Sequence, residues 1–151
     1  MKRILLACML AMLLTPGSIH GQSFQKALKL AEQGDSWAAW EVGYAYREGQ
    51  GVPKDLKESL KWYLRAAHLG DRAAQFNLAL LYKQGDSDTP RDLVVSYMWA
   101  KLSEKAGNDH AGTFRKDLEK EMTSGQIQKA QRLAEQWKKK SWDEVKAQFP
   151  D

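Results

Sequence analysis

GDSWAAWEVGYAYREGQGVPKDLKESLKWYLRAAHLG, residues Gly34–Gly70, is followed by an imperfect copy of itself. A shift of 36 places Gly34 on Gly70, Asp35 on Asp71, Ala38 on Ala74, Tyr46 on Tyr82 and Gly49 on Gly85. Trp40 falls on Phe76, Val42 on Leu78 and Arg47 on Lys83. Beyond Gly85 the shift becomes 37, because one residue is inserted in the loop. Pro53, Asp55, Leu56, Ser59, Trp62 and Gly70 then meet Pro90, Asp92, Leu93, Ser96, Trp99 and Gly107. The matches keep their order across a whole unit, so an internal repeat governs the fold.

Each unit predicts two helices. Over Ser36–Glu48 the residues Ala39, Trp40, Val42, Gly43 and Tyr46 recur at helical spacing. Gly49 and Gly51 end that helix, since glycine takes the positive φ required beyond a helix C-terminus. Asp55 is placed to cap the second helix, with Glu58 as its capping-box partner. Leu56, Leu60, Tyr63 and Ala67 lie near one face of it, beside Trp62 and Ala66, and Gly70 ends it. A single pair of this kind cannot bury its apolar face, so the pairs must stack.

The run G-x-G-V-P-x-D followed by W-Y-x-x-A-A-x-x-G resembles the Sel1-like repeat family. Ala38, Val42, Gly43, Tyr46, Gly49, Gly51, Val52, Pro53, Asp55, Trp62, Tyr63, Ala66, Ala67 and Gly70 carry the resemblance. The second copy departs from it. Ala79 replaces the usual glycine, GDSDTP replaces G-x-G-V-P, and Ala100 and Ser103 replace the tyrosine and an alanine after Trp99. The run Met122–Trp137 is similar to the closing helix of many bacterial members. The resemblance implies an all-α fold, a short right-handed α/α solenoid related to tetratricopeptide repeats, with capping helices. It also implies an adaptor that binds proteins, as members do in signalling, envelope biogenesis or host contact.

Outward from the repeats, residues 1–21 read as a cleaved signal peptide. Lys2 and Arg3 are its basic start, and Ile4–Leu14 is an apolar run too short to span a bilayer. Cleavage is expected after Gly21, which predicts a periplasmic or secreted product with no stable membrane span. The whole chain carries 23 basic and 19 acidic residues, net +4. Loss of Lys2 and Arg3 with the signal reduces that excess, and no clustered basic face points to nucleic acid. The one cysteine, Cys8, leaves too, so disulfide and thiol chemistry is excluded from the mature chain. This separates it from the cysteine-rich branch of the resembling family, which has penicillin-binding activity.

The expected repeat domain spans residues 22–140. Residues 22–33 form a lead-in helix, with repeats over about 34–69 and 70–106. A degenerate unit follows over 107–140, its first helix at His110–Met122. There Phe114, Leu118 and Met122 are expected to face the second repeat. Thr123 with Gln126, and Ser141 with Glu144, are two further capping boxes. The second of these opens a short helix, Trp142 to Phe149, in a tail over 141–151 that packs on the last repeat or extends to a partner.

No catalytic residue, metal ligand set or cofactor site is read from the chain. His68 and His110 sit at helix ends outside any H-E-x-x-H, C-x-x-C or G-x-S-x-G pattern. Glu119 and Glu121 are two apart and so point in different directions on a helix. Tryptophan is the unusual feature, at six residues. Trp40, Trp62 and Trp99 match core positions of the repeat, and Trp137 seals the last one. Trp37 is matched by Ala73 and is not required by the repeat. Trp37, Glu41, Tyr44 and Glu48 fall at i, i+4, i+7 and i+11, one helical face. In the second copy Asn77, Leu80 and Gln84 hold the positions of Glu41, Tyr44 and Glu48. The resemblance places this face on the concave side of the solenoid, so these seven residues are the candidate partner-binding face. The other role open to Trp37 is packing against the lead-in helix near Leu30.

The sequence thus points to a non-enzymatic protein-interaction module of the bacterial cell envelope, with an unidentified protein or peptide partner. Two alternatives accompany it: a cell-wall fragment or β-lactam binding or hydrolysing protein, and an inhibitor or immunity-type partner of a secreted protein. Replacing the core residue Trp62 by Ala should cost about 3–5 kcal/mol, measured as a shift in the urea unfolding midpoint.

Overall fold

The computed structural model describes residues 19–86 and 89–150. Most of the leader read at residues 1–21 therefore lies outside the described residues. Eight helices and no strand occur among the described residues: α1 Ile19–Ala31, α2 Ser36–Glu48, α3 Leu56–His68, α4 Arg72–Gln84, α5 Leu93–Lys105, α6 Asp109–Glu119, α7 Ser124–Gln136 and α8 Trp142–Gln148. None is long and apolar enough to cross a membrane. Helix α1 runs through Gly21, so the cleavage point read there falls inside a helix.

The helices pack in sequence order as an α/α solenoid. Helix α2 pairs with α3 and α4 with α5; α1 leans on α2, α3 on α4, and α5 meets both α6 and α7. Small residues make the close contacts: Ala39, Ala66, Ala67, Ala74, Ala79 and Ala100 are fully buried. Trp62 and Trp99 lie in the same core, at 4% and 3% exposure, as their repeat positions require. A second cluster joins Val94, Tyr97, Leu118 and Ala130 where α6 and α7 meet α5. Phe114 meets Phe76 of α4 edge-to-face at 5.5 Å.

Aspartates start the repeat helices. Asp35 and Asp71 accept hydrogen bonds from the N–H groups of Ala38 and Ala74, at 2.8 and 2.7 Å. Asp55 and Asp92 each accept two, from Lys57 and Glu58 and from Val94 and Val95. Each such cap contributes about 1 kcal/mol. The box expected at Asp55 is not closed by Glu58. The Asp55 N–H instead donates to the Tyr46 carbonyl at 2.9 Å, and Asp92 repeats this toward Tyr82 at 2.8 Å. With that donor engaged, Glu58 turns toward Lys61. The boxes at Thr123 and Ser141 form in full. Leu56 departs from the apolar face predicted for it: at the first position of α3 it remains 39% exposed.

The two departures of the second copy explain one another. At Gly43 the helices approach so closely that a methyl group would lie 2.8 Å from Cδ1 of the buried Tyr63. In the second copy Ala79 stands at the glycine position and Ala100 at the tyrosine position, both fully buried. The missing ring makes room for the added methyl. There the Ser96 hydroxyl donates to the Ala79 carbonyl at 2.6 Å, bridging α4 and α5.

The tail folds back. From Trp137 the chain runs along the turns between repeats, where the Lys140 N–H donates to the His68 carbonyl at 2.9 Å. Helix α8 then buries Val145 completely. Trp142 lies over Gly34, whose φ of 92° and contact with that ring leave no space for a side chain. Arg65 of α3 is 2% exposed, stacks over Trp62 at 4.5 Å, and donates through Nε and Nη2 to the Phe149 carbonyl. His68, the last residue of α3, is half-buried rather than free at the helix end. It sits among Trp99, Trp137 and Phe149, with ring centroids 5.5, 6.5 and 5.6 Å away. Burial, and secondarily the charge of Lys140, lower its pKa from 6.5 to about 4.

Two outcomes follow from this packing. Gly43→Ala should cost about 1–3 kcal/mol by overpacking against Tyr63. In a Tyr63→Ala background that penalty should vanish, and urea unfolding of the four-variant cycle measures the coupling. His68 is neutral when folded, so the unfolded chain binds the extra proton between the two pKa values. The stability this residue contributes is full above pH 6.5 and is lost as pH falls toward 4. Thermal melts at pH 7 and pH 4.5 should therefore separate more for the protein than for His68→Phe.

Candidate partner-binding face

Helix α2 is capped by Asp35 at its start and by Gly49, at a φ of 72°, at its end. At 100° per residue, Trp37, Glu41, Tyr44 and Glu48 span an arc of about 60°. Ala38, Ala39, Val42 and Gly43 occupy the opposite side and are buried. The face is thus left outward by the packing of the other side. Trp37 is 54% exposed and Tyr44 38%, and Glu41 and Glu48 are exposed. Contiguous exposed apolar surface, unlike single exposed residues, marks interaction sites when it is large.

Trp40 completes the arrangement. Its ring lies 4.6 Å from Trp37 at an interplanar angle of 30°, and 5.6 Å from Tyr44 at 21°. Three rings therefore form a ladder along α2. Trp37 leans on Trp40, one turn along its own helix, and Leu30 is itself 40% exposed. Sequence reasoning assigned Trp40 wholly to the core. The signal for its second role was its spacing, three residues after Trp37 and four before Tyr44.

The seven predicted residues divide between two clefts. Glu41 and Tyr44, with Trp40 and Gln50, line a cleft of about 280 Å³ closed by Ser23, Phe24 and Ala27 of α1. Glu48 and Gln84 line another of about 300 Å³ between α2 and α4, with Arg47, Lys54 and Leu56. Trp37, Asn77 and Leu80 line neither. Asn77 and Leu80 are half-buried, and Gln84 is exposed. Asn77 and Arg47 stand beside the buried Tyr63 hydroxyl; its pKa is raised by burial, against their opposing pull. The aromatic half of the face is therefore on α2, and α4 supplies a flatter amide and aliphatic continuation.

Among the described residues no group of three or more histidine, cysteine, aspartate or glutamate side chains is placed to hold a metal ion. Glu119 and Glu121 are engaged in ion pairs: Glu119 with Arg115 at 2.6 Å, and Glu121 with Lys83 and Arg91 at 3.1 and 2.9 Å.

A sequence model of the Sel1 repeat matches residues 6–34, 38–71 and 72–108, more than half of the chain. The first of these stretches begins inside the segment read as a leader and ends at Gly34. The chain is 37% identical over 62 residues to DAP3-binding cell death enhancer 1 of Rattus norvegicus, and 38% identical over 60 residues to the chitin synthase regulator SKT5 of Malassezia restricta. Those stretches cover 38% and 40% of this chain but only 12% and 4% of the relatives. Among solved structures it is similar to a protective antigen of uropathogenic Escherichia coli displaying an SLR fold. That match has a TM-score of 0.73 at 30% identity, over 87% of this chain and 29% of the antigen. A Sel1 repeat protein from Oxalobacter formigenes matches at a TM-score of 0.58 and 28% identity, over 61% and 37% of the two chains. Order of helices, repeat glycines and these matches agree: the chain belongs to the Sel1 repeat family, whose α/α solenoids are typically non-catalytic protein–protein interaction modules.

Proposed function

We propose that this chain is a protein-binding module of the bacterial cell envelope that engages a protein or peptide partner on the exposed face of α2 and α4, the concave side of the solenoid in this reading. The observation that carries the reading is the ladder Trp37–Trp40–Tyr44, whose outer rings are left 54% and 38% exposed beside a cleft. Tryptophan and tyrosine are enriched among the few residues that dominate binding energy at protein interfaces. Glu41, Glu48, Asn77, Leu80 and Gln84 give the anchor a polar and aliphatic surround. The envelope assignment is supported by the basic start and apolar run of residues 2–14. In this reading residues 1–21 direct export, 22–140 form the repeat domain, and 141–151 are a tail whose helix α8 packs back on it.

The test is a selection of displayed peptides against the immobilised protein, followed by affinity measurement on a Trp37→Ala/Tyr44→Ala variant of unchanged helicity. Both rings are exposed, so the variant keeps its core. Selected peptides should lose tenfold or more in affinity, about 1.4 kcal/mol or more. Peptides that bind both versions equally would place the contact elsewhere and end the assignment of this face.

A further inference from the structure

The geometry points to an arginine side chain of the partner as the group that this face receives, stacked on the aromatic ladder and paired with Glu41. The inference rests on the binding face proposed above and names its ligand chemistry. Three observations carry it.

The first is charge. Of the side chains lining the cleft beside the ladder, Glu41 alone is charged, among Phe24, Trp40, Tyr44 and Gln50. Glu41 is exposed and makes no ion pair or side-chain hydrogen bond with any described residue, whereas the neighbouring Glu48 is paired with Arg47 at 3.6 Å. A carboxylate at the mouth of an aromatic cleft favours a cation there.

The second is ring geometry. The rings of the ladder stack on one another, so Trp37, at its end, is the one more than half exposed. Glu41 is one turn along the helix from Trp37 and just under one turn before Tyr44. A planar guanidinium stacked on an indole presents its N–H edge sideways, and a carboxylate one turn away can accept from that edge. A lysine ammonium is compact and more strongly hydrated and gains less from a flat ring.

The third is an internal counterpart. Where α6 meets α5 the chain brings an arginine, an aromatic ring and two carboxylates together from its own residues. The Arg115 guanidinium carbon is 5.4 Å from the Tyr97 ring centroid; the group donates to the Tyr97 hydroxyl at 3.1 Å, to Glu104 at 2.7 Å and to Glu119 at 2.6 Å. Arg65 lies over Trp62 at 4.5 Å. On α2 the rings and the carboxylate are present, and none of the described cations is seated on them.

The experiment follows the indole N–H signals of the full-length chain, labelled with 15N-tryptophan. Trp37→Phe identifies the Trp37 signal. N-acetyl-arginine amide is titrated in, with N-acetyl-lysine amide and the neutral N-acetyl-glutamine amide as comparisons. The Trp37 signal should move saturably with the arginine probe, at least threefold more tightly than with the lysine probe, and not with the glutamine probe. Glu41→Gln, an exposed change that leaves the core intact, should weaken arginine binding at least fivefold. Equal response to arginine and glutamine, equal affinity for lysine, or an unchanged affinity in Glu41→Gln would each overturn the arginine assignment. Displayed peptides that require Trp37 and Tyr44 but bind Glu41→Gln equally well would overturn it too, while leaving the face itself standing. Loss of the face shows separately, as peptides indifferent to Trp37→Ala/Tyr44→Ala.

Discussion

One backbone hydrogen bond closes each of the two repeat hairpins, α2–α3 and α4–α5. The N–H of a capping aspartate, Asp55 or Asp92, donates to the carbonyl of a tyrosine near the end of the helix before, Tyr46 or Tyr82. The same aspartate accepts two N–H groups of the helix that it starts. One residue thus fixes where the second helix begins and how far back along the first it lies. Registers of this kind decide which side chains meet across the pair. Tyr63 reaches Gly43 and Ser96 reaches the Ala79 carbonyl because the two helices start from a defined offset. Since the pair cannot bury its own apolar faces, the same offset also sets what it shows to the next pair.

Local features were the most legible in the sequence. The boxes at Thr123 and Ser141 depend on residues three apart, and both form. The repeat alignment placed Trp62 and Trp99 in the core, where both lie. The capping box at Asp55 was the exception: its second half failed because a carbonyl nine residues upstream had already taken the aspartate N–H. A pattern over four residues contains no information about that competitor. The tail was undecided in sequence because its docking depends on Arg65, more than eighty positions from the Phe149 carbonyl that it holds. An arginine between Leu64 and Ala66 gives no sign in sequence that it will be buried.

The face on α2 shows the same division. Helical arithmetic brought Trp37, Glu41, Tyr44 and Glu48 to one side, and the exposure of all four follows from the burial of Ala38, Ala39, Val42 and Gly43 opposite. That arithmetic could not say that Trp40 would lean between two of them, because a side chain's tilt is set by its neighbours. Nor could it divide the seven residues between two clefts, since the floor of each is built by another helix. The copies also diverge where function is proposed. Ala73 and Leu80 stand where the first copy has Trp37 and Tyr44, and the buried alanines at the foot of each helix match.

In a plain solenoid each unit touches only its neighbours, so units can fray from either end almost independently. The segment after Trp137 breaks that one-dimensional order. It leaves the last unit, crosses the turn at Gly70 and sets Trp142 on the turn at Gly34. The first and last units are thereby strapped together across the middle one. Opening the terminal helices then also strips Val145, Phe149 and Trp142 from the rest of the stack, and the loss is shared along its whole length. A short repeat array held this way melts as one body, and the face on α2 keeps its shape for as long as the far end stays folded.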